Sequence, residues 1–341
     1  MTIRDRYHRQ RLLPAIGDSG QQRLSEATVL IVGAGALGSV SADALCRAGV
    51  GTIRLVDRDV VEETNLQRQS LYTQRDIGYP KAEAASTRLR DTNRDTTIEA
   101  HAAHLGAHNA LELIEGAHAV VDGTDNFSTR YLLNDVCVKR RVPYVYAGAV
   151  GTSGTGAVII PGTTGCLRCL LPDPPPGAQV DTCDSAGVLG PLVWMVACWQ
   201  ATETIKLLVG DTGAVSRGVR RFEAWSSDIA VRSLTDALAR DPECPCCAHN
   251  RYEFLEGEET RTTTLCGRGA VQITPARPQV WDAETLGARL RALGEVERAG
   301  SSVRAEIDGY ELTVFPDGRA IVRGADDEDH ARALYDRYVG S

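Results

Sequence analysis

The sequence predicts an α/β fold in which a doubly wound, mainly parallel sheet is followed by a small α+β domain. Short apolar segments alternate with amphipathic helical segments as far as Tyr146. Strands that alternate with helices in this way form a mainly parallel sheet with helices on both faces. The chain has 341 residues, of which 43% are hydrophobic and 24% charged, and this is enough for about two globular domains.

The first predicted elements form a βαβ unit. Residues 28–32 are an apolar strand that leads directly into glycines, residues 39–48 are a helix, and residues 52–56 are a second strand that ends at Asp57. The alternation then continues. We predict strands at residues 97–99, 119–122 and 144–146, and helices after Lys81 and at residues 109–115 and 128–140.

The chain changes character after this alternation. Residues 148–162 are glycine-rich with apolar runs that could form antiparallel strands. The prolines that follow indicate a loop or mobile crossover at residues 171–184. A long, mostly apolar helix is predicted at residues 191–209, because Pro191 suits the first helical turn.

The C-terminal part is predicted to be a separate, smaller unit. A polar stretch up to Thr264 is typical of a linker, so we predict domains at residues 1–255 and 265–341. Asp-Gly and Pro-Asp-Gly turns mark hairpins in the second domain. Its predicted strands lie at residues 270–273, 303–307, 310–315 and 319–322, and its helices at 283–293 and 327–338.

Composition excludes several classes of partner. The formal net charge is −8, so the chain has no general electrostatic attraction for nucleic acid or an anionic membrane surface, and we expect neither as a partner. Residues 1–10 are polar and charged, with no apolar segment that could direct export. The longest apolar run, at residues 186–199, contains a proline and is too short to span a membrane. We expect a cytoplasmic protein with reduced cysteines.

A glycine-rich loop between the first strand and its helix predicts nucleotide binding. The loop contains Gly33, Gly35, Ala36 and Gly38, and Asp57 closes the next strand 19 residues beyond the last glycine. The glycines allow a tight turn and bring a nucleotide close to backbone N–H groups, and the aspartate can bind ribose hydroxyls. This Rossmann-like pattern alone predicts a dinucleotide-dependent dehydrogenase.

The segments after Asp57 carry more polar groups than hydride transfer needs. These groups are Asp59, Asn65, Arg68, Gln69, Lys81, Asp125 and Asn126. A triphosphate would use them, because Arg68 and Lys81 can neutralise phosphate oxygens and Asp125, just after a strand, is placed to hold Mg²⁺. Asp59 and Asn65 fit turn positions equally well.

Lysine is rare in this chain. Lys81, Lys139 and Lys206 are the only three lysines among 37 basic residues. None follows a glycine, which excludes a phosphate-binding P-loop. Lys81 could be a solvated charge at the start of a helix, but its rarity favours a functional role.

Two Cys-x₂-Cys pairs, Cys166 with Cys169 and Cys244 with Cys247, have the spacing of a tetrahedral structural Zn²⁺ site. Such pairs in a cytoplasmic chain more often bind metal or act in catalysis than form disulfides. Their wide separation predicts a clip that ties the crossover to the end of the first domain. Cys246 lies inside the second pair and could replace a neighbour as the fourth ligand.

Cys183 lies just after the proline-rich crossover and near the start of a helix, where a thiolate can act as a nucleophile. Asp181 and Asp184 disfavour the thiolate. The residues alone therefore leave a nucleophile and an idle surface thiol equally open.

Together these motifs resemble the ThiF/MoeB/HesA adenylyltransferases, which are bacterial relatives of ubiquitin-activating enzymes. The resemblance covers about residues 5–250, and with its C-terminal extension the chain is most like ThiF. The motifs are Arg6-Tyr7-His8-Arg9-Gln10, the glycine loop, residues 64–69, Lys81, residues 124–127, the cysteine pairs and Gly190-Pro191 with Gln200, Glu203 and Lys206. One departure is Ala36, which stands where MoeB-type loops often have a second adjacent glycine.

The resemblance implies which residues bind ATP. They are the glycine loop, Asp57, Asn65, Arg68, Lys81, Asp125 and Asn126. It also implies a homodimer in which Arg9 reaches the ATP bound by the partner subunit, and an ATP-binding adenylyltransferase domain at residues 1–255.

The resemblance further implies the substrate, the C-terminal glycine of a ubiquitin-like sulfur carrier of the ThiS or MoaD type. Its carboxylate would attack the α-phosphate of ATP. ThiF-type proteins carry a cysteine at the position of Cys183 that can link to the carrier during sulfur transfer, and a cysteine desulfurase would be the sulfur donor. The expected pathway is thiamine thiazole synthesis, and the alternatives with the same chemistry are activation of a molybdopterin-synthase or tRNA-thiolation carrier.

Two alternatives belong to other functional classes. A non-catalytic scaffold is disfavoured, because Arg9, Arg68, Lys81 and Asp125 are all present in one chain. A dinucleotide-dependent oxidoreductase rests on the glycine loop alone.

Overall fold

Two β-sheets organise the part of the chain that the computed structural model describes. This part comprises residues 5–174, 186–226, 230–233, 238–257, 262–265, 270–274, 282–291, 293–325 and 327–339. The first sheet has eight strands and the second has six. None of the helices in these ranges is long and apolar enough to cross a membrane.

The first sheet confirms the predicted doubly wound, mainly parallel architecture. Its strands are β1 (Thr28–Val32), β2 (Thr52–Val56), β3 (Thr97–His101), β4 (Ala119–Asp122), β5 (Tyr144–Val150), β6 (Ser153–Ile159), β7 (Arg220–Glu223) and β8 (Ala230–Ser233). They lie in the order β3-β2-β1-β4-β5-β6-β7-β8. Strands β1 to β5 pair in parallel, and β6 to β8 are antiparallel to their neighbours, as the glycine-rich stretch after β5 suggested.

Helices cover both faces of this sheet. They are α1 (His8–Arg11), α2 (Gly17–Glu26), α3 (Ala36–Ala48), α4 (Lys81–Thr92), α5 (Ala107–Leu113), α6 (Phe127–Arg140), α7 (Leu167–Leu170), α8 (Gly190–Leu208) and α9 (Glu253–Glu256). One hydrophobic core contains Leu45 of α3 and Leu89 of α4, and another contains Leu113 of α5 and Val136 of α6. Successive strands are added on one side of β1 up to β3 and on its other side from β4 onward, so the strand order reverses between β1 and β4. Nucleotides bind at such a switch point in folds of this kind.

Helix α8 is the long buried helix that the sequence predicts, and it fixes the sheet beside the switch point. It begins at Gly190, with Pro191 in its first turn. The side-chain amide of Gln200 is fully buried, and its Nε2 donates to the carbonyl oxygens of Asp122 at 2.9 Å and Val145 at 3.0 Å. One side chain thus joins the carboxyl end of β4 to β5.

The second sheet is the predicted α+β unit. Its strands are β9 (Thr262–Leu265), β10 (Ala270–Ile273), β11 (Glu295–Ala299), β12 (Ser302–Ile307), β13 (Tyr310–Val314) and β14 (Ala320–Arg323), in the order β11-β12-β13-β14-β10-β9. All its pairings are antiparallel. Helices α10 (Ala283–Leu290) and α11 (Glu328–Tyr338) bury Leu286 and Leu334 in its core. Separate domains at residues 1–255 and 265–341 remain a prediction.

Several elements differ from the sequence prediction. The stretch predicted as a linker contains α9, whose Leu255 is buried in the core that contains Leu113 and Val136, and most of strand β9. Strands β7, β8 and β11 were also not predicted. In β11, Glu295 and Glu297 are exposed, so the strand lacks the apolar alternation by which a strand is recognised.

Close backbone packing at the glycine loop explains why the loop needs its glycines. Gly33 has a φ of +88°, which other residues rarely adopt. A Cβ at Gly38 would lie 1.7 Å from the Gly33 carbonyl oxygen, and a Cβ at Gly123 would lie 2.3 Å from the same atom. A Cβ at Gly35 would meet nothing closer than 3.9 Å. Helix α3 can pack against β1 and β4 only because Gly38 and Gly123 lack side chains.

We predict that Gly38→Ala strongly destabilises the protein whereas Gly35→Ala does not. The new methyl group at Gly38 would overlap a backbone oxygen that cannot move away, and the cost should exceed about 3 kcal/mol. Urea unfolding followed by circular dichroism measures both variants. Equal free energies of unfolding for Gly38→Ala and Gly35→Ala would show that this packing does not constrain the loop.

Candidate functional site

The predicted nucleotide-binding residues gather at the carboxyl ends of three neighbouring strands. The glycine loop follows β1, Asp57 follows β2, and the segment that contains Asp125 follows β4. A Cβ at Gly33 would lie 2.5 Å from the carbonyl oxygen of Gly123, so the loop and the segment after β4 are in contact. Asp125 is two residues beyond this contact.

Asp57 holds the glycine loop in place. Its side chain is buried, and its Oδ2 accepts a hydrogen bond from the N–H of Ala34 at 2.6 Å while its Oδ1 accepts one from the N–H of Asp59 at 2.7 Å. Burial raises the pKa of Asp57, and the positive charge of Lys81 opposes this effect. Each carboxylate oxygen has a second lone pair, so the group retains capacity for hydroxyl donors.

Lys81 is buried, which excludes a solvated charge at the start of α4. Its exposed fraction is 2%, and its Nζ lies 3.4 Å from Oδ2 of Asp59. Its backbone N–H also donates to the Asp59 carbonyl oxygen at 2.9 Å. Because an unpaired buried ammonium is costly, the Asp59 carboxylate stabilises Lys81 in this buried position.

Tyr72 joins the glycine loop to Lys81, a role that no sequence motif predicted. Its buried hydroxyl donates to the carbonyl oxygen of Ala34 at 2.8 Å and lies 3.2 Å from that of Lys81. Burial raises the pKa of Tyr72 well above its usual value, so the hydroxyl remains a donor. Its importance follows from contacts distant in sequence, which no local motif encodes.

The segment after β2 brings three further predicted residues to this region. Asn65 is buried and its Oδ1 accepts from the N–H of Glu62 at 3.1 Å, so it serves as a turn residue. Arg68 is partly exposed, and its Nη1 donates to the Thr64 carbonyl oxygen at 2.9 Å. Gln69 is buried, and its Oε1 has no hydrogen-bond partner among the described residues. Such an acceptor is costly unless a ligand satisfies it.

A buried network under the β4 loop was also not predicted. The Oδ1 of Asp122 accepts from the N–H of Thr124 at 2.9 Å and from its hydroxyl at 2.7 Å, and Oδ2 accepts from the Tyr144 hydroxyl at 2.6 Å. Arg130 lies 3.5 Å from the same carboxylate. Burial raises the pKa of Asp122, and Arg130 opposes this shift. An aspartate in an otherwise apolar strand is the signal that could have revealed this network.

Asp125 presents an exposed carboxylate beside the start of α6. Asn126 caps this helix, since its side-chain oxygen accepts from the N–H of Thr129 at 2.9 Å. The Nδ2 of Asn126 lies 3.5 Å from Oδ1 of Asp125. Nη2 of Arg130 donates to the Thr124 carbonyl oxygen at 2.9 Å, which fixes the backbone just before Asp125.

Arg9 lies away from the other predicted site residues of its own chain. It is exposed on α1, where Nε2 of the adjacent Gln10 donates to the carbonyl oxygen of Ala48 at 2.9 Å. Ala48 ends α3, whereas the glycine loop precedes the start of that helix. The two ends of a helix of 13 residues are separated by roughly 18 Å, which is beyond the reach of an arginine side chain.

The four predicted metal ligands lie together. The Sγ atoms of Cys166, Cys169, Cys244 and Cys247 are all within 4.8 Å of one another. Cys166 and Cys244 are 3.6 Å apart, and Cys169 and Cys247 are 3.4 Å apart. The hydrogen bond with Cys166, followed by burial, raises the pKa of Cys169 to about 12.

The structure also distinguishes Cys246 from the four cysteines of the cluster. Cys246 is fully buried and its Sγ accepts a hydrogen bond from Nδ2 of Asn134 at 3.3 Å, so Cys247 is the second member of the C-terminal pair in the cluster. Cys183, the predicted nucleophile, lies outside the described residues.

Comparison with known proteins reveals relatives of this arrangement. Residues 7–246 match the ThiF family. The sulfur carrier protein ThiS adenylyltransferase of Bacillus subtilis is 40% identical over 339 residues, which cover 98% of this chain and 99% of the relative. The sulfur carrier protein adenylyltransferase of Thermus thermophilus is 42% identical over 248 residues, which cover 71% of this chain and 90% of the relative.

A solved structure shares the same architecture. The crystal structure of E. coli MccB with ATP has a TM-score of 0.60 and 26% sequence identity, with coverage of 71% of this chain and 74% of that one. Because the family match spans residues 7–246 and a relative at 40% identity covers nearly the whole length, this chain belongs to the ThiF family.

Proposed function

We propose that this chain uses ATP to adenylate the C-terminal glycine of a ThiS-type ubiquitin-like sulfur carrier, for thiamine thiazole synthesis. The observation that carries the proposal is the grouping of the glycine loop, Asp57 and the buried Lys81 at one switch point in a ThiF-family chain. The carrier assignment draws on the B. subtilis ThiS adenylyltransferase, whose similarity extends through the second sheet.

The site has complementary groups for the ribose and the phosphates of ATP. Asp57 retains acceptor capacity for ribose hydroxyls, and Lys81 and Arg68 supply positive charge for the phosphates. The unpartnered Oε1 of Gln69 supports a bound ligand with a hydrogen-bond donor. The glycine loop allows phosphate oxygens to approach backbone N–H groups at the start of α3.

The reaction needs positioning and charge neutralisation rather than a general base. The carrier's terminal carboxylate is already an anion at neutral pH. One of its oxygens forms a bond to the α-phosphorus as the bond from that phosphorus to the bridging oxygen of pyrophosphate breaks. The products are a carrier acyl adenylate and pyrophosphate, with the electron pair leaving on pyrophosphate.

Asp125 would hold Mg²⁺, which would supply positive charge near the phosphates. An exposed carboxylate fits a hard, partly hydrated cation that prefers oxygen ligands. The buried network around Asp122 and Arg130 fixes the backbone that carries Asp125, so its orientation does not depend on the ligand.

We assign Arg9 to the ATP site of the partner subunit in a homodimer. Its position near the far end of α3 supports this assignment, because its own glycine loop is out of reach. An arginine from a second chain would add charge at the phosphates only when the dimer is assembled. The active unit is therefore the dimer.

The cysteine cluster would hold Zn²⁺. Four thiolates around an ion with Zn–S bonds of about 2.3 Å lie about 3.8 Å apart. Three of the Sγ–Sγ separations, at 3.4, 3.6 and 4.0 Å, are close to this value, and all four Sγ atoms are within 4.8 Å of one another. The ion would tie the start of α7 to the segment before α9 and would not take part in adenylation. Such a thiolate site fits the reducing cytoplasm, where we place the enzyme.

Cys183 would act after adenylation by linking to the carrier during sulfur transfer, with a cysteine desulfurase as sulfur donor. The same adenylation chemistry on a molybdopterin-synthase or tRNA-thiolation carrier is the alternative to the ThiS-type substrate.

We predict that ATP–pyrophosphate exchange is stimulated by a ubiquitin-like carrier, and most strongly by a ThiS-type carrier. Asp125→Ala should reduce this exchange by at least about a hundredfold, because the metal-holding carboxylate is lost. Cys183→Ala is the matched control and should keep full exchange while losing sulfur transfer.

Exchange without any response to carriers would contradict the proposed enzyme. A MoaD-type carrier that outperformed the ThiS type would transfer the proposal to that pathway. Loss of exchange in Cys183→Ala would show that the division of roles between Asp125 and Cys183 is wrong.

We predict that Arg9→Ala and Asp125→Ala complement each other when their subunits are mixed. Each variant should be inactive alone, and a mixed dimer restores one complete site. Statistical mixing of a symmetric dimer then gives about one quarter of wild-type exchange. No recovery after verified subunit exchange would place Arg9 in the site of its own chain, or outside the site altogether.

We predict one bound zinc ion per chain by elemental analysis, lost in Cys166→Ser and in Cys247→Ser. Cys246→Ser should retain the metal, because Cys246 packs against Asn134 instead of joining the cluster. Both ligand variants should also unfold at lower temperature. Retention of zinc in Cys247→Ser together with its loss in Cys246→Ser would reverse the ligand assignment.

A further inference from the structure

The segment at residues 58–62, which follows β2, lies between the ATP site and the second sheet. It is extended: Val60 forms an antiparallel β-bridge with Pro80. Successive side chains of an extended segment point to opposite sides. On one side Asp59 pairs with Lys81, and Val61 packs in the core beneath the first sheet.

The other side of the same segment contacts the second sheet. Val60 is buried in a small cluster with Phe315 and Ile321. Glu62 forms an ion pair with Arg323. The segment that follows Asp57 and carries Asp59 is therefore packed against a part of the chain outside the ThiF family match, which ends at residue 246.

Arg319 makes a buried polar contact between the two sheets. It is 1% exposed, its Nη1 donates to the carbonyl oxygen of Arg58 at 2.6 Å, and its Nη2 donates to that of Ala102 at 3.0 Å. Arg58 follows β2 and Ala102 follows β3, so one guanidinium joins the segments that leave two neighbouring strands. The Phe315 ring, 4.0 Å away, covers one face of this guanidinium.

The second sheet also contacts the start of α4, just after Lys81. Glu83, in the first turn of α4, accepts hydrogen bonds from the N–H of Ser301 at 3.0 Å and from the Ser301 hydroxyl. Gly300 packs so closely that a Cβ there would lie 3.3 Å from Pro80. The second sheet thus touches both chain segments that present the Asp59–Lys81 pair.

A buried arginine is a costly way to join two surfaces for stability alone. Its carboxylate partner is Asp317 at 3.4 Å, and burial lowers the pKa of Arg319 even with that partner. Apolar side chains of similar volume often replace buried ion pairs without loss of stability. They could not, however, fix two backbone carbonyl groups in one geometry, which is what Arg319 does.

On the basis of the proposed function, we propose that Arg319 is a positioning residue for ATP binding. By holding the Arg58 carbonyl, it fixes the backbone between Asp57 and Asp59, and thereby the carboxylates that orient the glycine loop and Lys81. The second sheet is then a structural support of the ATP site. By thermodynamic linkage, bound ATP must in turn stabilise the docking of the second sheet.

Calorimetric titration of the full chain with ATP tests this proposal without any carrier. Arg319→Met keeps the side-chain volume but removes the donors, and we expect its Kd for ATP to rise about tenfold, within the usual range of coupling between sites. Arg319→Lys should recover part of this loss. Ile307→Val, in the core of the second sheet and away from the contact, is the control: it should destabilise the protein slightly and keep an ATP affinity within about twofold of wild type.

Hydrogen exchange of the Ala34 and Asp59 amides gives an independent readout, because both donate to Asp57. Their exchange should accelerate in Arg319→Met and not in Ile307→Val. Equal behaviour of these two variants in both measurements would overturn the proposal. If Arg319→Met does not fold, Arg319→Lys supplies the same comparison.

The two proposals fail in different ways. Wild-type protein that binds no ATP would contradict the proposed function. The hydrogen-exchange rates of the Ala34 and Asp59 amides would still decide whether Arg319 positions the glycine loop. Normal adenylation with unaltered ATP affinity and amide exchange in the Arg319 variants would contradict only the positioning role.

Discussion

The buried carboxylate of Asp57 accepts hydrogen bonds from two backbone N–H groups, that of Ala34 in the glycine loop and that of Asp59. Each of these bonds organises a different part of the site. The first sets the path of the loop that leads into α3, and the second turns the chain so that Asp59 meets the buried Lys81. Because the carboxylate is removed from water, these bonds are strong and their geometry is well defined. The groups that we propose to bind the phosphates and the ribose of ATP are therefore held in position by the protein itself.

This constraint extends beyond the part of the chain that defines the family. The segment after Asp57 has the proposed ATP site on one side and the second sheet on the other, and Arg319 contacts its backbone directly. A catalytic region of about 250 residues with an unrelated appendage would need no buried cation at the junction. The ThiS adenylyltransferase of B. subtilis is similar to this chain through the second sheet as well, so the relative covers the same junction.

Local patterns were enough to predict much of the fold and site. The glycine loop, Asp57, Lys81 and the cysteine pairs each lie in a short motif, and the alternation of strands and helices identified the parallel sheet. Tyr72, the Asp122–Arg130 pair and Arg319 were not predicted as site residues, because their roles depend on partners brought close only by folding. Strand β11 was not predicted because its charged side chains interrupt the alternation of apolar and polar residues that identifies a strand. The burial of Lys81 could not be predicted from its sequence neighbours. The rarity of lysine in this chain favoured only a functional role for it.

In the reaction that we propose, this preorganised site transfers an adenylyl group to a carrier's C-terminal carboxylate. The decisive experiment is intact-mass spectrometry of a ThiS-type carrier incubated with the enzyme, ATP, Mg²⁺ and pyrophosphatase but no sulfur donor. We expect the carrier to gain the mass of one adenylyl group, and a carrier without its terminal glycine to gain none. An unmodified carrier in the presence of ATP-bound enzyme would show that the site does not catalyse this transfer.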